Sequence, residues 1–329
     1  MTRRTPRLGW YVHHHGRGHL TRLLAIAPHL DAEVDAVSSL AAPAGLPSGW
    51  TWTVLDRDDD GGAPVDPTVD GMLHWAPIGH VGHRTRLSVI AAAAAERHWD
   101  GMVVDTSVEV TLLARLLGLR TVVVTQPGHR IDRPHLLGFA AADTVIAPWA
   151  RGILSPAHLE ALGDKVVHTG GISRFAARVA NGPRSDEVVL LASGGTVGPA
   201  AIRDAEKATG RPWRALGGGA WADDPWPVLA TAGVVVSWAG QNAVADLAAA
   251  RASAVVIPQD RPFDEQRETG RALRRADLAQ VEDSWPTAAQ WPDLIERAET
   301  ARPEWERWEV AGAPQRAAAA IADTMRGRR

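Results

Sequence analysis

The sequence predicts two doubly wound, Rossmann-like α/β domains that face a cleft. Three observations predict this fold class: short apolar runs alternate with Ala/Leu-rich helical patterns, the runs are apolar throughout, and the whole pattern starts again near residue 188. Strands of this kind, without tight hairpin turns, are typical of a parallel sheet with helices on both faces. The 329 residues are enough for two such domains.

The first half of the chain alternates six strand patterns with helical ones. The predicted strands are LGWYV (8–12), EVDAVSS (33–39), WTWTVL (50–55), GMVVD (101–105), RTVVVTQ (120–126) and DTVIAPW (143–149). The predicted helices are TRLLAIAPHL (21–30), RLSVIAAAAAERH (86–98) and VEVTLLARLLGL (108–119). We therefore expect an N-terminal Rossmann-like domain over residues 1–175.

The second half repeats this arrangement after a polar stretch rich in Gly and Arg, residues 168–187. It contains VVLLASGGTVG (188–198), AAIRDAEKATG (200–210), PWRALGGG (212–219), VVVSWAGQNAVADLAAA (234–250) and SAVVIPQD (253–260). We expect a second Rossmann-like domain over 185–310. The Ala-rich segment 311–329 is expected to be a helix that packs back on the N-terminal domain.

Composition excludes several classes of protein. The formal net charge of −3 gives no sign of a nucleic-acid partner. Cysteine is absent, which excludes disulfides and thiolate metal sites. No run of about 18 apolar residues predicts a membrane span, and the N-terminus lacks the apolar region of a signal peptide. We expect a cytoplasmic protein, with peripheral contact to the inner membrane face as a further option.

Three glycine loops directly follow strands: HHHGRGH, ASGGTVG and SWAGQNA. A strand, a glycine turn and a helix start leave backbone N–H groups free at the positive end of a helix, which suits phosphate. The dinucleotide pattern G-x-G-x-x-G is incomplete in GRGHLT, and no phosphate P-loop occurs. Neither of these two nucleotide-binding motifs is therefore complete.

The most informative stretch is residues 234–273. A helix that starts near Gly240 would place Gln241 and Asn242 in its first turn, and Asp246 one turn deeper on the same face, where a carboxylate can accept hydrogen bonds from a ribose diol. The following polar loop offers sugar-binding candidates: Asp264, Glu265 and Gln266. The alternative is that these are ordinary helix-start and surface residues.

The order of these motifs resembles GT-B glycosyltransferases, and most of all the group that contains the peptidoglycan N-acetylglucosaminyltransferase. ASGGTVG resembles the glycine loop that opens that group's second domain, and HHGRGHLTR its N-terminal glycine loop. The resemblance implies phosphate and ribose contacts from Ser237, Gly240, Asn242 and Asp246. It implies sugar contacts from Glu265 and Gln266, and pyrophosphate contacts near Ser193, Gly194, Gly195 and Thr196.

The sequence departs from that group at the N-terminal loop, where Arg17 separates the glycines, and at Trp238 and Gln241. These differences leave the acceptor open: a glycan, a lipid-linked sugar or a small molecule. The acceptor-side loop residues are His14, Gly16 and Gly18. Trp221 is a candidate for stacking on the nucleotide base.

Four histidines in this loop raise the question of a metal. Adjacent residues of an extended strand point to opposite faces, and no carboxylate lies at ligand spacing, so we predict no metal site. The resemblance places His19 in the cleft, where imidazole suits the removal of a hydroxyl proton near neutral pH. Asp105 should orient it, with Glu109 as the alternative carboxylate and His14 as the reserve base.

The resemblance implies that the domain over 1–175 binds the acceptor and that the domain over 185–310 binds the nucleotide-sugar donor. The resulting hypothesis is an inverting, metal-independent glycosyltransferase that uses UDP-N-acetylglucosamine or another UDP-hexose as a substrate and needs no cofactor. Two alternatives remain open. A nucleotide-sugar 2-epimerase of the same fold would convert the donor without an acceptor. A non-catalytic nucleotide-sugar-binding subunit would need a membrane partner.

Overall fold

A computed structural model describes residues 4–191, 197–217 and 224–327 of the chain. It contains two parallel sheets covered by helices, which confirms the predicted fold class. The strands are β1 Arg7–Val12, β2 Glu33–Ser38, β3 Trp50–Val54, β4 Gly101–Asp105, β5 Arg120–Val124, β6 Thr144–Ala147, β7 Val166–His168, β8 Val188–Leu191, β9 Trp213–Leu216, β10 Val234–Ser237, β11 Ala254–Val256 and β12 Gln280–Val281.

Eleven α-helices lie within the described ranges. They are α1 Gly18–Ile26, α2 Val81–Glu96, α3 Val108–Leu116, α4 Arg133–Ala141, α5 Ala157–Glu160, α6 Pro199–Thr209, α7 Trp226–Leu229, α8 Gln241–Ala249, α9 Glu265–Arg275, α10 Trp291–Thr300 and α11 Ala313–Met325. Short 3₁₀ helices cover Ala27–His29, Gly163–Lys165, Pro262–Asp264, Ala288–Gln290 and Trp305–Trp308. None of the described helices is both long and apolar enough to cross a membrane.

The N-terminal unit is the seven-stranded sheet, in the order β3-β2-β1-β4-β5-β6-β7, with its helices. Its central strands are buried because their side chains are apolar on both faces, as a helix-covered parallel sheet requires. Val12, the last residue of β1, is in register with Asp105, the last residue of β4. The loop after β1 and the Asp105 carboxyl therefore emerge side by side at the carboxyl edge.

The C-terminal unit is the five-stranded sheet, in the order β12-β11-β10-β8-β9, with its helices. Ser237 at the end of β10 is in register with Leu191 of β8 and Val256 of β11. The loops that follow these three strands consequently share one edge. In doubly wound sheets this carboxyl edge is where ligands bind.

The C-terminal helix α11 packs on the N-terminal unit, against β5, β6 and α1. Its buried face includes Ala317 and Ile321, which join the apolar core that contains Leu8 and Val103. The Thr324 and Thr144 hydroxyls lie 2.7 Å apart beneath this face. The small Ala side chains let the helix approach the sheet closely, so the chain after the second sheet is anchored on the first.

Candidate active site

His19 lies in the first turn of α1, directly after the histidine loop. Its Nδ1 donates a hydrogen bond to Asp105 Oδ1 over 2.9 Å, and both residues are buried. Burial alone would raise the pKa of Asp105, but the charges of Arg22 and His19 hold it below its usual value. The carboxylate is therefore ionised and leaves the imidazole Nε2 as the nitrogen that can accept a proton.

The predicted partnership of His19 with Asp105 is thus present in the geometry. Glu109, the alternative carboxylate, instead accepts hydrogen bonds from the backbone N–H groups of His74 and Trp75, at 2.8 and 3.1 Å. Glu109 therefore holds the segment around residues 74–75, and Asp105 is the carboxylate that bonds the His19 ring.

Arg22 is a member of this site that the sequence reasoning missed. Its guanidinium donates to Asp105 Oδ1 over 2.6 Å and to Gln241 Oε1 over 3.0 Å. The available signal was its position three residues after His19, on the same face of a helix. Arg22 joins the His19–Asp105 pair to the C-terminal unit.

The N-terminus of α8 faces the N-terminus of α1. Gly240 is the N-cap of α8, so Gln241 and Asn242 occupy the first turn, as expected from sequence. The Asn242 side chain donates to the backbone carbonyl of Gly18 over 2.8 Å. No side chain caps either helix. The first turns of α1 and α8 therefore lie against each other, and uncapped first-turn N–H groups are donors that suit an anion.

Asp246, expected to bind ribose, is buried beneath this turn with 8% of its surface exposed. Its Oδ1 accepts a hydrogen bond from Ser173 Oγ over 2.5 Å. Burial raises the pKa of Asp246 to about 6, although the Ser173 hydroxyl opposes the shift. Ser173 lies in the segment between the two sheets and was not anticipated. Ser237 is fully buried and donates to the Leu191 carbonyl over 3.3 Å.

The residues of the polar loop before α9 have different partners: Gln266 bonds to the backbone of neighbouring loops, and Glu265 contacts the N-terminal unit. Gln266 is buried, and its Oε1 accepts from the backbone N–H groups of Ala239 and Gln259 at 3.2 and 3.0 Å, so this oxygen holds two loops together. Glu265 lies 3.4 Å from Arg130 of the N-terminal unit, and burial raises its pKa. Asp264 is exposed, with a left-handed backbone at φ 55°.

Five of the expected donor-side residues lie outside the described ranges: Ser193, Gly194, Gly195, Thr196 and Trp221. Of the acceptor-side loop, Gly16 has φ 80°, a conformation that glycine adopts readily. That turn lets the chain pass from β1 into α1 and places Gly18 against Asn242.

A cavity of about 440 Å³ opens at the carboxyl edge of the N-terminal unit. The histidine loop forms one of its walls through His13, His14 and His15, and Phe263 reaches it from the C-terminal unit. The His13 ring lies 5.6 Å from the His19 ring. The lining includes neither His19 nor Asp105, but it includes His13 and Thr106, which directly follows Asp105, so the cavity lies next to the His19–Asp105 pair.

The structure corrects the argument made from sequence about the histidines. The chain bends directly after β1, so His14 and His15 point to the same side, and both contact Asp59 Oδ2, at 3.3 and 3.1 Å. A carboxylate is thus present, although it is distant in sequence. Arg57 donates to the same oxygen over 2.5 Å, and this cation disfavours a metal ion there. A second group of possible metal ligands is His74, Asp132 and His135. The expected absence of a metal stays a prediction.

The sequence matches no protein-family model and no curated protein. Solved structures do match. The glycotransferase of kitacinnamycin is 14% identical, with a TM-score of 0.71 over 98% of this chain and 100% of that chain. MurG of Acinetobacter baumannii is 16% identical, with a TM-score of 0.63 over 97% and 100%. Phytolacca americana UGT2, complexed with UDP-2fluoro-glucose and pterostilbene, is 12% identical, with a TM-score of 0.62 over 98% and 95%. The chain therefore has the fold of GT-B glycosyltransferases.

Proposed function

We propose that this chain is an inverting glycosyltransferase that moves a sugar from a nucleotide-diphosphate donor to an acceptor hydroxyl. The observation that carries the proposal is the buried His19–Asp105 pair, with its 2.9 Å hydrogen bond, beside two uncapped helix N-termini. A general base and an anion site at the same junction are the two features that this reaction requires.

The donor diphosphate would lie at the meeting point of α1 and α8. The first-turn N–H groups of both helices donate to its oxygens and stabilise the charge that develops as it leaves. Asp246, one turn deeper in α8, would accept hydrogen bonds from the ribose diol, and Glu265 would bind the sugar hydroxyls. We take UDP-N-acetylglucosamine or another UDP-hexose as the donor, because the UGT2 of the same fold is complexed with a UDP-sugar analogue.

The chemistry then follows from the orientation of His19. Its Nδ1–H is held by Asp105, so Nε2 takes the proton of the acceptor hydroxyl. The acceptor oxygen forms a bond to the anomeric carbon while the bond from that carbon to the diphosphate breaks. The electron pair leaves with the nucleoside diphosphate, the sugar inverts, and Asp105 stabilises the imidazolium. The helix N-termini carry the leaving charge in this scheme, so we propose that no metal ion takes part.

The cavity beside the histidine loop favours transfer over the two alternatives. A 2-epimerase acts on the donor alone and has no use for a separate cavity of about 440 Å³ next to the base. A binding subunit without catalysis has no use for a buried, oriented imidazole.

The test compares His19→Ala with His29→Ala, an exposed histidine just beyond the same helix. Binding of UDP-N-acetylglucosamine by calorimetry should be unchanged in both variants. Release of UDP in the presence of a panel of hydroxyl acceptors should fall by about 10²–10⁴-fold in His19→Ala alone. Normal release by a folded His19→Ala protein would remove His19 as the base, and His14 would be the next candidate.

A further inference from the structure

The proposed acceptor cavity is small. A cavity of about 150 Å³ accommodates one benzene ring, so the volume of about 440 Å³ corresponds to roughly three aromatic rings. This is near the lower limit of the pockets that bind drug-sized molecules. It is too small for a long polyprenyl chain carrying a sugar.

Phe263 closes the cavity from the C-terminal unit. Its backbone carbonyl accepts a hydrogen bond from His129 N over 2.7 Å, and its ring lies 4.7 Å from the His135 ring and 4.9 Å from the Arg130 guanidinium. The backbone of Phe263 has φ 61°, an uncommon conformation for a residue with a side chain. The loop is therefore held in the position that puts an aromatic ring across the cavity.

Four aromatic side chains line the cavity. The aromatic lining residues are Tyr11, Trp75, Phe139 and Phe263, and the aliphatic ones include Leu87, Val108 and Val110. Aromatic faces bind other aromatic rings through offset-stacked and edge-to-face contacts. The wall therefore favours a planar, apolar body.

Each arginine of the wall has a carboxylate partner among the residues that the structure describes. Arg86 is paired with Asp58 and donates to the Tyr11 hydroxyl over 2.9 Å. Arg130 lies 3.4 Å from Glu265, and it donates to Gln126 Oε1 over 2.7 Å and to His135 Nε2 over 2.9 Å.

The acids of the wall are engaged as well. Asp59 accepts from Arg57 over 2.5 Å, and Glu109 accepts from the backbone N–H of His74 over 2.8 Å. Glu109 has no described cation partner, so the wall keeps a negative charge, whereas both of its described arginines are paired. No described cation of the wall is thus left to pair with an anionic acceptor, and to bury an unpaired anion here would be costly.

Four histidines of the wall have lowered pKa values. Burial lowers the pKa of His13 to about 3 and that of His135 to about 4. The pKa values of His14 and His83 are lowered by the same cause. Neutral imidazoles offer hydrogen bonds to hydroxyl and carbonyl groups but do not attract an anion.

We propose that the acceptor is a small, planar hydroxy compound of up to about three aromatic rings and without an anionic group, which this cavity binds with its hydroxyl toward His19. This inference rests on the proposed function, since it names the acceptor of that reaction. A phosphate- or diphosphate-bearing glycolipid, one of the other acceptors open from sequence, would meet no unpaired cation among the described residues of the wall.

The experiment measures binding of 7-hydroxyflavone by calorimetry, without donor. Leu87→Trp fills the cavity and should weaken binding at least tenfold. Leu116→Trp is the matched control, because Leu116 is 85% exposed on α3 and outside the cavity. Phe263→Ala, on an exposed loop, removes one wall and should also weaken binding, which keeps the test valid if Leu87→Trp fails to fold. A 7-hydroxyflavone with an added ring carboxylate should bind at least tenfold more weakly than the parent.

Three results would overturn the inference: equal binding of 7-hydroxyflavone by the wild type and a folded Leu87→Trp or Phe263→Ala protein, tighter binding of the carboxylate, or binding of a lipid-linked saccharide only. Binding of UDP-N-acetylglucosamine is measured in parallel. If that donor binds and UDP is released with another acceptor while 7-hydroxyflavone does not bind, the acceptor class alone is wrong. If 7-hydroxyflavone binds in the cavity but no sugar is transferred from any donor, the proposed function is wrong.

Discussion

Replacing Asp246 by Asn removes a charge from a buried site and keeps the oxygen that Ser173 bonds. The pKa of Asp246 is raised from 3.8 to about 6. This rise of about two pKa units corresponds to about 3 kcal/mol, at about 1.36 kcal/mol per pKa unit. The folded chain holds this proton up to pH 6, whereas the unfolded chain releases it near pH 3.8. The stability that the group contributes at low pH is therefore lost as the pH rises through 6.

Asn has no proton to lose, so Asp246→Asn should gain stability relative to the wild type as the pH rises. Between pH 5 and pH 7.5, the free energy of unfolding of Asp246→Asn should rise by about 1.4 kcal/mol relative to that of the wild type. Urea unfolding at these two values measures it, with Asp283→Asn as a control at an exposed carboxyl. Parallel pH dependences of the free energy of unfolding in wild type and Asp246→Asn would refute the reasoning.

The same carboxyl links nucleotide binding to pH. Hydrogen bonds from a ribose diol favour the ionised form, so donor binding should release the proton that Asp246 holds below pH 6. Wild-type affinity for UDP-N-acetylglucosamine should be about tenfold higher at pH 7 than at pH 5. The affinity of Asp246→Asn should be lower at pH 7 and nearly independent of pH. Calorimetry at both values checks this, and an equally steep pH dependence in the variant would place the ribose elsewhere.

Two further predictions concern the charges around the base. Arg22→Met should lower the free energy of unfolding by about 3–5 kcal/mol in urea denaturation, because it leaves the buried Asp105 carboxylate without its cation. Arg22→Lys should recover part of the loss. An Arg22→Met protein of unchanged stability would show that His19 alone satisfies Asp105. Addition of EDTA should leave the rate of UDP release unchanged if helix N-termini carry the leaving charge, and inhibition reversed by a divalent cation would contradict the metal-independent scheme.

The fold was predictable because the strands have a simple pattern. Runs such as GMVVD and VVVS are apolar up to a polar last residue, and a sheet covered on both faces buries them. The shorter strands carried too few residues for such a pattern: β7 spans Val166–His168, and β12 spans Gln280–Val281. Their existence depends on pairing with a neighbouring strand that is already in place.

The pairing of His19 with Asp105 was predictable for a topological reason. Both residues follow strands of one parallel sheet, and the carboxyl ends of neighbouring strands meet at one edge. The contact of His14 with Asp59 was not predictable, because it depends on the bend of residues 13–17 and on a loop from another strand. Loop conformations of this kind have no short-range sequence signal.

The departure of Gln241 from the glycosyltransferase pattern has a structural explanation in Arg22. The Gln241 side chain leaves the first turn of α8 to accept a hydrogen bond from Arg22, and Asn242 likewise bonds to Gly18. Neither side chain covers the end of its own helix, so the backbone N–H groups are the donors that a diphosphate would meet. Because Arg22 also bonds to Asp105, the helix of the proposed donor site is connected through one side chain to the carboxylate that bonds His19, the proposed base. A shift of α8 on donor binding would therefore act directly on the carboxylate that orients His19.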